Sequence, residues 1–207
     1  MFAGVVVTGN NPSQVPTVAA GFQPAGRAPA PPPLDLVQDF VNTEIPEWAH
    51  DEIATPDELA AWLRARGLLA ESSVVDAEAF VAARALRGVL RELALLNTLG
   101  EAPDEGLRDA FDHAVASALL RVELDESGRA RPRPAGDGAA RALGAIVVRV
   151  LDAQASGVWG RLKACRKDTC GWLFYDASRN VSSNWCSMSI CGNRSKTAAY
   201  RRRRKAS

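Results

Sequence analysis

The chain has 207 residues, 47% of them hydrophobic and 24% charged, which suits a soluble globular protein of one or two domains. No run approaches the roughly eighteen apolar residues of a membrane span, so a membrane is not expected as partner. The net charge of +1 hides a split, since residues 160–207 carry net +10 and the rest net −9; a basic end suits a polyanion, and the acidic body would not follow it there.

Residues 1–33 are rich in Pro, Gly, Ala and Val and almost uncharged, and Ala28 to Pro33 admits neither helix nor central strand. The segment is expected to be disordered, with room for a short edge strand from Gly4 to Thr8. Leu34 to Thr43 is apolar and partly alternating, which leaves strand and short helix both open. Thr55-Pro56-Asp57-Glu58 is a helix start: Thr55 caps, Pro56 takes the first turn and Glu58 reaches back. Leu59, Trp62 and Leu63 give that helix an apolar face, and Gly67 ends it.

A second helix is expected over 76–99, with Phe80, Leu86, Leu90 and Leu93 inward and Gly100 as its stop. Arg84, Arg87 and Arg91 recur at spacings three and four and read as a solvated face. Pro103-Asp104-Glu105 opens a third helix carrying Leu107, Phe111 and Val115. Leu120, Val122 and Leu124 alternate with charged residues, a strand signal, and Asp125-Glu126-Ser127-Gly128 turns the chain back. Pro132 and Pro134 confine the returning strand to an edge. A last helix over 137–158 buries Leu143, Ile146, Val147, Val150 and Leu151. The expected fold is α+β, mainly α: a helical domain over 34–159 with a small antiparallel hairpin, which folds as a separate unit, then a module over 160–207.

No glycine-rich phosphate loop, His-Glu-x-x-His or Gly-x-Ser-x-Gly stands in the chain. Its two histidines, His50 and His113, are isolated, and the carboxylates are scattered. No enzyme is expected.

The last module carries every cysteine, spaced Cys165-x4-Cys170-x15-Cys186-x4-Cys191. Two close pairs across a moderate loop bring four thiolates to the corners of one tetrahedron, the geometry a structural zinc asks for. Two disulfides would need an oxidising compartment, and the N-terminus shows no charged segment followed by a long apolar run. An iron–sulfur cluster is the lesser rival. One structural Zn2+ on Cys165, Cys170, Cys186 and Cys191 is therefore expected, as is a cytoplasmic, nucleoid-associated protein. Gly171 to Asp176 reads as a strand leaving the first pair, and Trp172, Phe174 and Trp185 as packing around the metal. About forty residues cannot build an adequate core alone, so ligation would dominate the module's stability.

The run Trp185-Cys186-x4-Cys191-Gly192-Asn193-Arg194, with a basic tail behind it, resembles the CGNR zinc finger. Leu36 to Thr43, ending Asp39-Phe40-Val41-Asn42-Thr43, is similar to the opening signature of the ABATE domain that precedes this finger. The resemblance covers residues 34–207 and implies a stress-induced transcription regulator, with the N-terminal domain as sensor or partner-binding domain and a small-molecule effector there. The segment from Asn193 to Lys205 has neither Pro nor Gly and suits a helix of three turns or more. Arg179, Asn193, Arg194, Lys196, Arg201, Arg202, Arg203, Arg204 and Lys205 are the candidate nucleic-acid contacts. Arginine on both sides of the helix suits phosphates better than a single base-reading stripe. DNA is the expected partner. An RNA- or ribosome-associated module would use the same charge pattern, and a finger that serves only as a staple or protein-docking surface would bind no nucleic acid. The sequence leaves the oligomeric state open; a homodimer is one hypothesis, from the habit of regulators to read two half-sites.

Overall fold

The computed structural model describes residues 22–193. They form five α-helices, α1 (Leu34–Val41), α2 (Pro56–Ala65), α3 (Ala77–Leu99), α4 (Glu105–Val115) and α5 (Gly138–Ala155). Six short strands join in three antiparallel pairs: β1 (Glu44–Ile45) with β2 (His50–Asp51), β3 (Leu120–Leu124) with β4 (Ala130–Pro134), and β5 (Leu162–Ala164) with β6 (Leu173–Tyr175). The α+β, mainly α expectation stands.

The helices form where the sequence supplies both a cap and a stripe. Thr55 and Glu58 make a reciprocal capping box. Asp76 and Asp104 cap α3 and α4 through the amides of Ala79 and Leu107. Gly100 closes α3 in the left-handed region at φ 73°. The segment left open between strand and helix is α1: Leu34, Val37, Phe40 and Val41 lie at helical spacing and are all buried. They meet Leu59 and Leu63 of α2, Leu86 and Leu90 of α3, and Leu143, Ile146 and Val150 of α5 in one core. Phe80 and Leu93, expected inward, are half-buried at its margin, as are Leu107, Phe111 and Val115 of α4.

Three expectations are corrected. Arg87 is not on a solvated face. It is 2% exposed and donates two hydrogen bonds to Asp51, at 2.6 and 2.7 Å, and one to Thr43 Oγ1 at 3.1 Å. Arg91 is tied to Glu44 and to the Val41 carbonyl. A buried guanidinium needs such partners, and the β1–β2 hairpin supplies them.

Nor is the upstream chain a separate folding unit. Leu162, Ala164 and Leu173 of the C-terminal module lie in the same core as the helices. Asn97 of α3 donates to the carbonyls of Trp159 and Leu162, and Thr98 to that of Ala164. Asn42 pairs with the backbone of β6: its Nδ2 donates to Leu173 O at 2.9 Å, and its Oδ1 accepts from Leu173 N at 2.8 Å. An amide side chain thus continues the sheet where β6 would otherwise present an unpaired edge. Residues 22–33 also depart from the expected disorder. Pro24–Gly26 form a 3-10 turn and Ala30 is buried, its amide held by Gln38. The hypothetical strand at 4–8 lies outside the described residues.

Candidate metal centre

The β5–β6 pair builds the first half of the centre. Cys165 follows β5 and its amide donates to the Trp172 carbonyl at 2.9 Å, which closes the loop carrying Cys165 and Cys170. Gly171 stands at φ 60° directly after Cys170, a conformation glycine adopts without strain. The amides of Lys167 and Trp172, each two residues beyond a cysteine, donate to the sulfurs of Cys165 and Cys170.

The second half is one turn of helix. Ser187 accepts from the Ile190 amide and caps the wide turn Met188–Gly192, which presents Cys191. The amides of Cys191 and Gly192 both reach Ser187 O at 3.0 Å. A Cβ on Gly192 would lie 2.8 Å from Met188 Sδ and 3.3 Å from the Trp185 ring.

All four cysteines are buried and free, and their sulfurs lie within 4.8 Å of one another. Cys170 and Cys186 stand 3.8 Å apart, Cys186 and Cys191 3.6 Å. Zinc–sulfur bonds of about 2.3 Å put tetrahedral sulfurs roughly 3.8 Å apart. The charge balance agrees. Hydrogen bonds from Cys170 and Cys186 pull the Cys165 thiol down to about 2. The same bond to Cys165 pushes Cys170 up to about 12, and Cys186 rises for the same reason. Cys191 is raised first by burial. The crowded thiols oppose one another's ionisation; a divalent cation among the sulfurs would let them ionise together. The donor set fits one structural Zn2+, which cross-links the two halves and, with four thiolates, has a closed shell.

Around the centre, side chains replace a core. Asp176 is fully buried and accepts from Lys163 Nζ at 3.2 Å, the Ser183 amide at 2.8 Å and the Ser178 amide at 3.0 Å. Burial pushes its carboxyl up, but these bonds outweigh burial and hold it well below the usual carboxylate range. Trp172 and Phe174 are buried against the cysteines, as the packing reading expects. A further support comes from the N-terminal segment. Arg27 lies 4.6 Å over the Phe174 ring and donates to the carbonyls of Cys186 and Trp185 at 2.9 and 3.1 Å. Gln23 accepts from Trp172 Nε1 at 3.2 Å, and Phe22 packs edge-on against the same ring.

Of the candidate nucleic-acid contacts, Arg179 is exposed in the loop held by Asp176, and Asn193 is exposed at the end of the last turn. Arg194, Lys196, Arg201, Arg202, Arg203, Arg204 and Lys205 lie outside the described residues. The module's other cations divide. Lys163 is spent on Asp176, Lys167 on Glu47, and Arg161 on the carbonyls of Asp176 and Ser178. Arg166, beside the first ligand, is exposed and was not singled out from sequence. Charge counting cannot separate these roles, because the partners lie on other strands and loops.

Among the described residues, no helix is long and apolar enough to cross a membrane. Two family models match the chain. One, described as "CGNR zinc finger", covers residues 161–204. The other, ABATE, described as "Putative stress-induced transcription regulator", covers residues 34–158. No curated protein matches the chain.

Proposed function

The chain belongs to the ABATE family and ends in a CGNR zinc finger, and we propose that it is a zinc-dependent DNA-binding transcription regulator. The observation that carries this reading is where the metal centre ends. Cys191 lies in a capped turn, and the next residue but one, Asn193, already has helical dihedrals of −68° and −40°. A basic segment that continues from Asn193 would start from a backbone that the metal fixes. A helix launched there would carry Arg194, Lys196 and Arg201 to Lys205 against phosphates, with exposed Arg166 and Arg179 as flanking contacts.

The helical body is the sensor or partner-binding half. Its link to the finger supports that role, because Asn42 of the opening signature and Asn97 and Thr98 of α3 hold the finger's two strands directly. A shift of α1 or α3 would be felt at β5 and β6 without any loop between.

The test is binding of zinc-loaded full-length protein to a pool of random duplex DNA across a salt series. Enrichment of a defined sequence is expected. Replacing Arg201 to Arg204 by alanine should lower the slope of log affinity against log salt by about 0.9 per lost phosphate contact. An unchanged slope would remove these arginines from the interface. Absence of DNA binding, or stronger binding of structured RNA, would overturn the assignment to DNA.

A further inference from the structure

The β3–β4 hairpin stands off the body with an unusual amount of apolar surface. Every residue of β3 is exposed, and Val122 and Leu124 are 74% and 73% so. It is anchored on α5 at its base: Arg141 of α5 donates to the Pro134 carbonyl at 2.9 Å, and Gly144 lies so close that a Cβ there would meet Leu119 O at 2.7 Å and the Leu120 side chain at 3.4 Å. The register places Leu120, Val122 and Leu124 opposite Pro134, Pro132 and Ala130, so one face of the hairpin is wholly apolar. The other face carries Arg121, Glu123, Arg131 and Arg133.

The two edges of this hairpin are not equivalent. Asp125 N donates to Arg129 O at 2.9 Å, which makes the odd-numbered residues of β3 the ones that exchange hydrogen bonds with β4. The prolines agree, because Pro132 and Pro134 have no N–H and sit opposite even-numbered residues. The N–H and C=O groups of Leu120, Val122 and Leu124 consequently point to the free edge of β3. On β4 the corresponding outer edge is blocked by the same two prolines. Proteins usually blunt an edge with proline, a bulge or an inward charge; β4 is blunted and β3 is not.

The sequence of β3 then selects the occupant. Leu120-Arg121-Val122-Glu123-Leu124 has the same apolar pattern in both directions and opposite charges at mirrored places. Antiparallel pairing of two copies about Val122 sets Leu120 against the partner's Leu124 and Val122 against the partner's Val122. Arg121 then faces the partner's Glu123, and Glu123 faces the partner's Arg121. The same register satisfies the outward backbone donors, joins the apolar faces and sets an opposite charge against each member of the Arg121–Glu123 pair that every chain already makes at 2.6 Å, and a slip of one residue loses all three.

We propose that the chain is a two-fold symmetric dimer, joined β3 to β3 into a four-stranded sheet whose apolar face is continuous across the axis. This inference stands on the hairpin alone and does not depend on the finger or its ligand.

Sedimentation equilibrium on zinc-loaded full-length protein tests it. The native chain should be a dimer. Val122→Pro removes one outward donor and nothing from the β3–β4 pairing, and should raise the dimer dissociation constant at least tenfold with the circular dichroism spectrum unchanged. Charge variants need no change of backbone. Arg121→Glu and Glu123→Arg each set like charges face to face and should each weaken self-association by about tenfold. An equimolar mixture of the two restores both opposite-charge pairs, and should form a heterodimer as tight as the native dimer. A monomeric native chain, or a dimer indifferent to all three substitutions, or a mixture no tighter than its parts, would overturn the proposal.

Discussion

Arg87 and Asp51 show how one residue pair holds the body. Arg87 is nearly inaccessible, and a guanidinium cannot shed its charge, so Asp51 has to stay ionised beside it. Burial pushes the Asp51 carboxyl up, but the Arg87 hydrogen bonds, the Ile53 amide and the nearby guanidinium charges outweigh it and hold it below its ordinary value. The folded form is therefore the weaker base. Its contribution is full above the unfolded pKa and is lost as pH falls through the folded one. Asp51→Asn should destabilise the protein at neutral pH towards the lower end of about 3–5 kcal/mol, the range for breaking a buried pair; Asp51 is 18% exposed, and water screens part of the loss. Urea titrations should find this gap constant between about pH 5 and 7 and narrower below about 4, where the unfolded chain binds a proton at Asp51 that the folded chain still resists. A gap that widens in acid would contradict the assignment.

At the scale of elements, the junction between α1 and β6 is made by Asn42, which replaces a strand neighbour with one amide. Asn42→Ala would leave the Leu173 amide buried without a partner, while the Leu173 carbonyl keeps Gln38 at 3.3 Å. The expected cost is about 1–3 kcal/mol, and native-state hydrogen exchange should show faster exchange at Leu173 and along β5 than in α2. Uniform exchange across both would mean that Asn42 is not a junction. This residue also shows what was legible from sequence. Asn42 stands within the resemblance to the ABATE opening, but its neighbours say nothing of its partner, which lies 131 residues away. The elements that could be read had their causes nearby: the Thr55–Glu58 box for α2, the Asp76 cap and Gly100 stop for α3, the alternation of β3. The four cysteines were legible for the same reason, since ligand spacing is a local property. Strands of two or three residues, such as β1, β2 and β5, are too short to show a period. The hold of Arg27 on Cys186 spans 159 residues and leaves no trace in composition.

For the whole molecule, the shared core decides how metal loss is felt. A finger hung on a linker would melt alone when its zinc is removed, and the helices would not notice. Here Leu162, Ala164 and Leu173 are packed among the helices, α3 holds β5 through Asn97 and Thr98, and the segment before α1 is laid across the metal centre through Arg27 and Gln23. Losing the centre frees Cys165 and the end of β5, and with them one side of the core. Ligation is worth roughly 10–16 kcal/mol in isolated finger peptides. If even about 5 kcal/mol of that reaches the body, the melting temperature should fall by roughly 10–20 °C, on the scaling for chains of this length. Chelation of the native protein and Cys186→Ser should give the same result. Far-UV circular dichroism, which reads the helices, and fluorescence of Trp172 and Trp185, which adjoin the cysteines, should report one coincident and lowered transition, because a single cooperative unit has no intermediate in which only one of them is lost. Two separate transitions, with the helical one unmoved by chelation, would mean that the helices stand without the finger, and that the contacts from α1 and α3 transmit nothing between them.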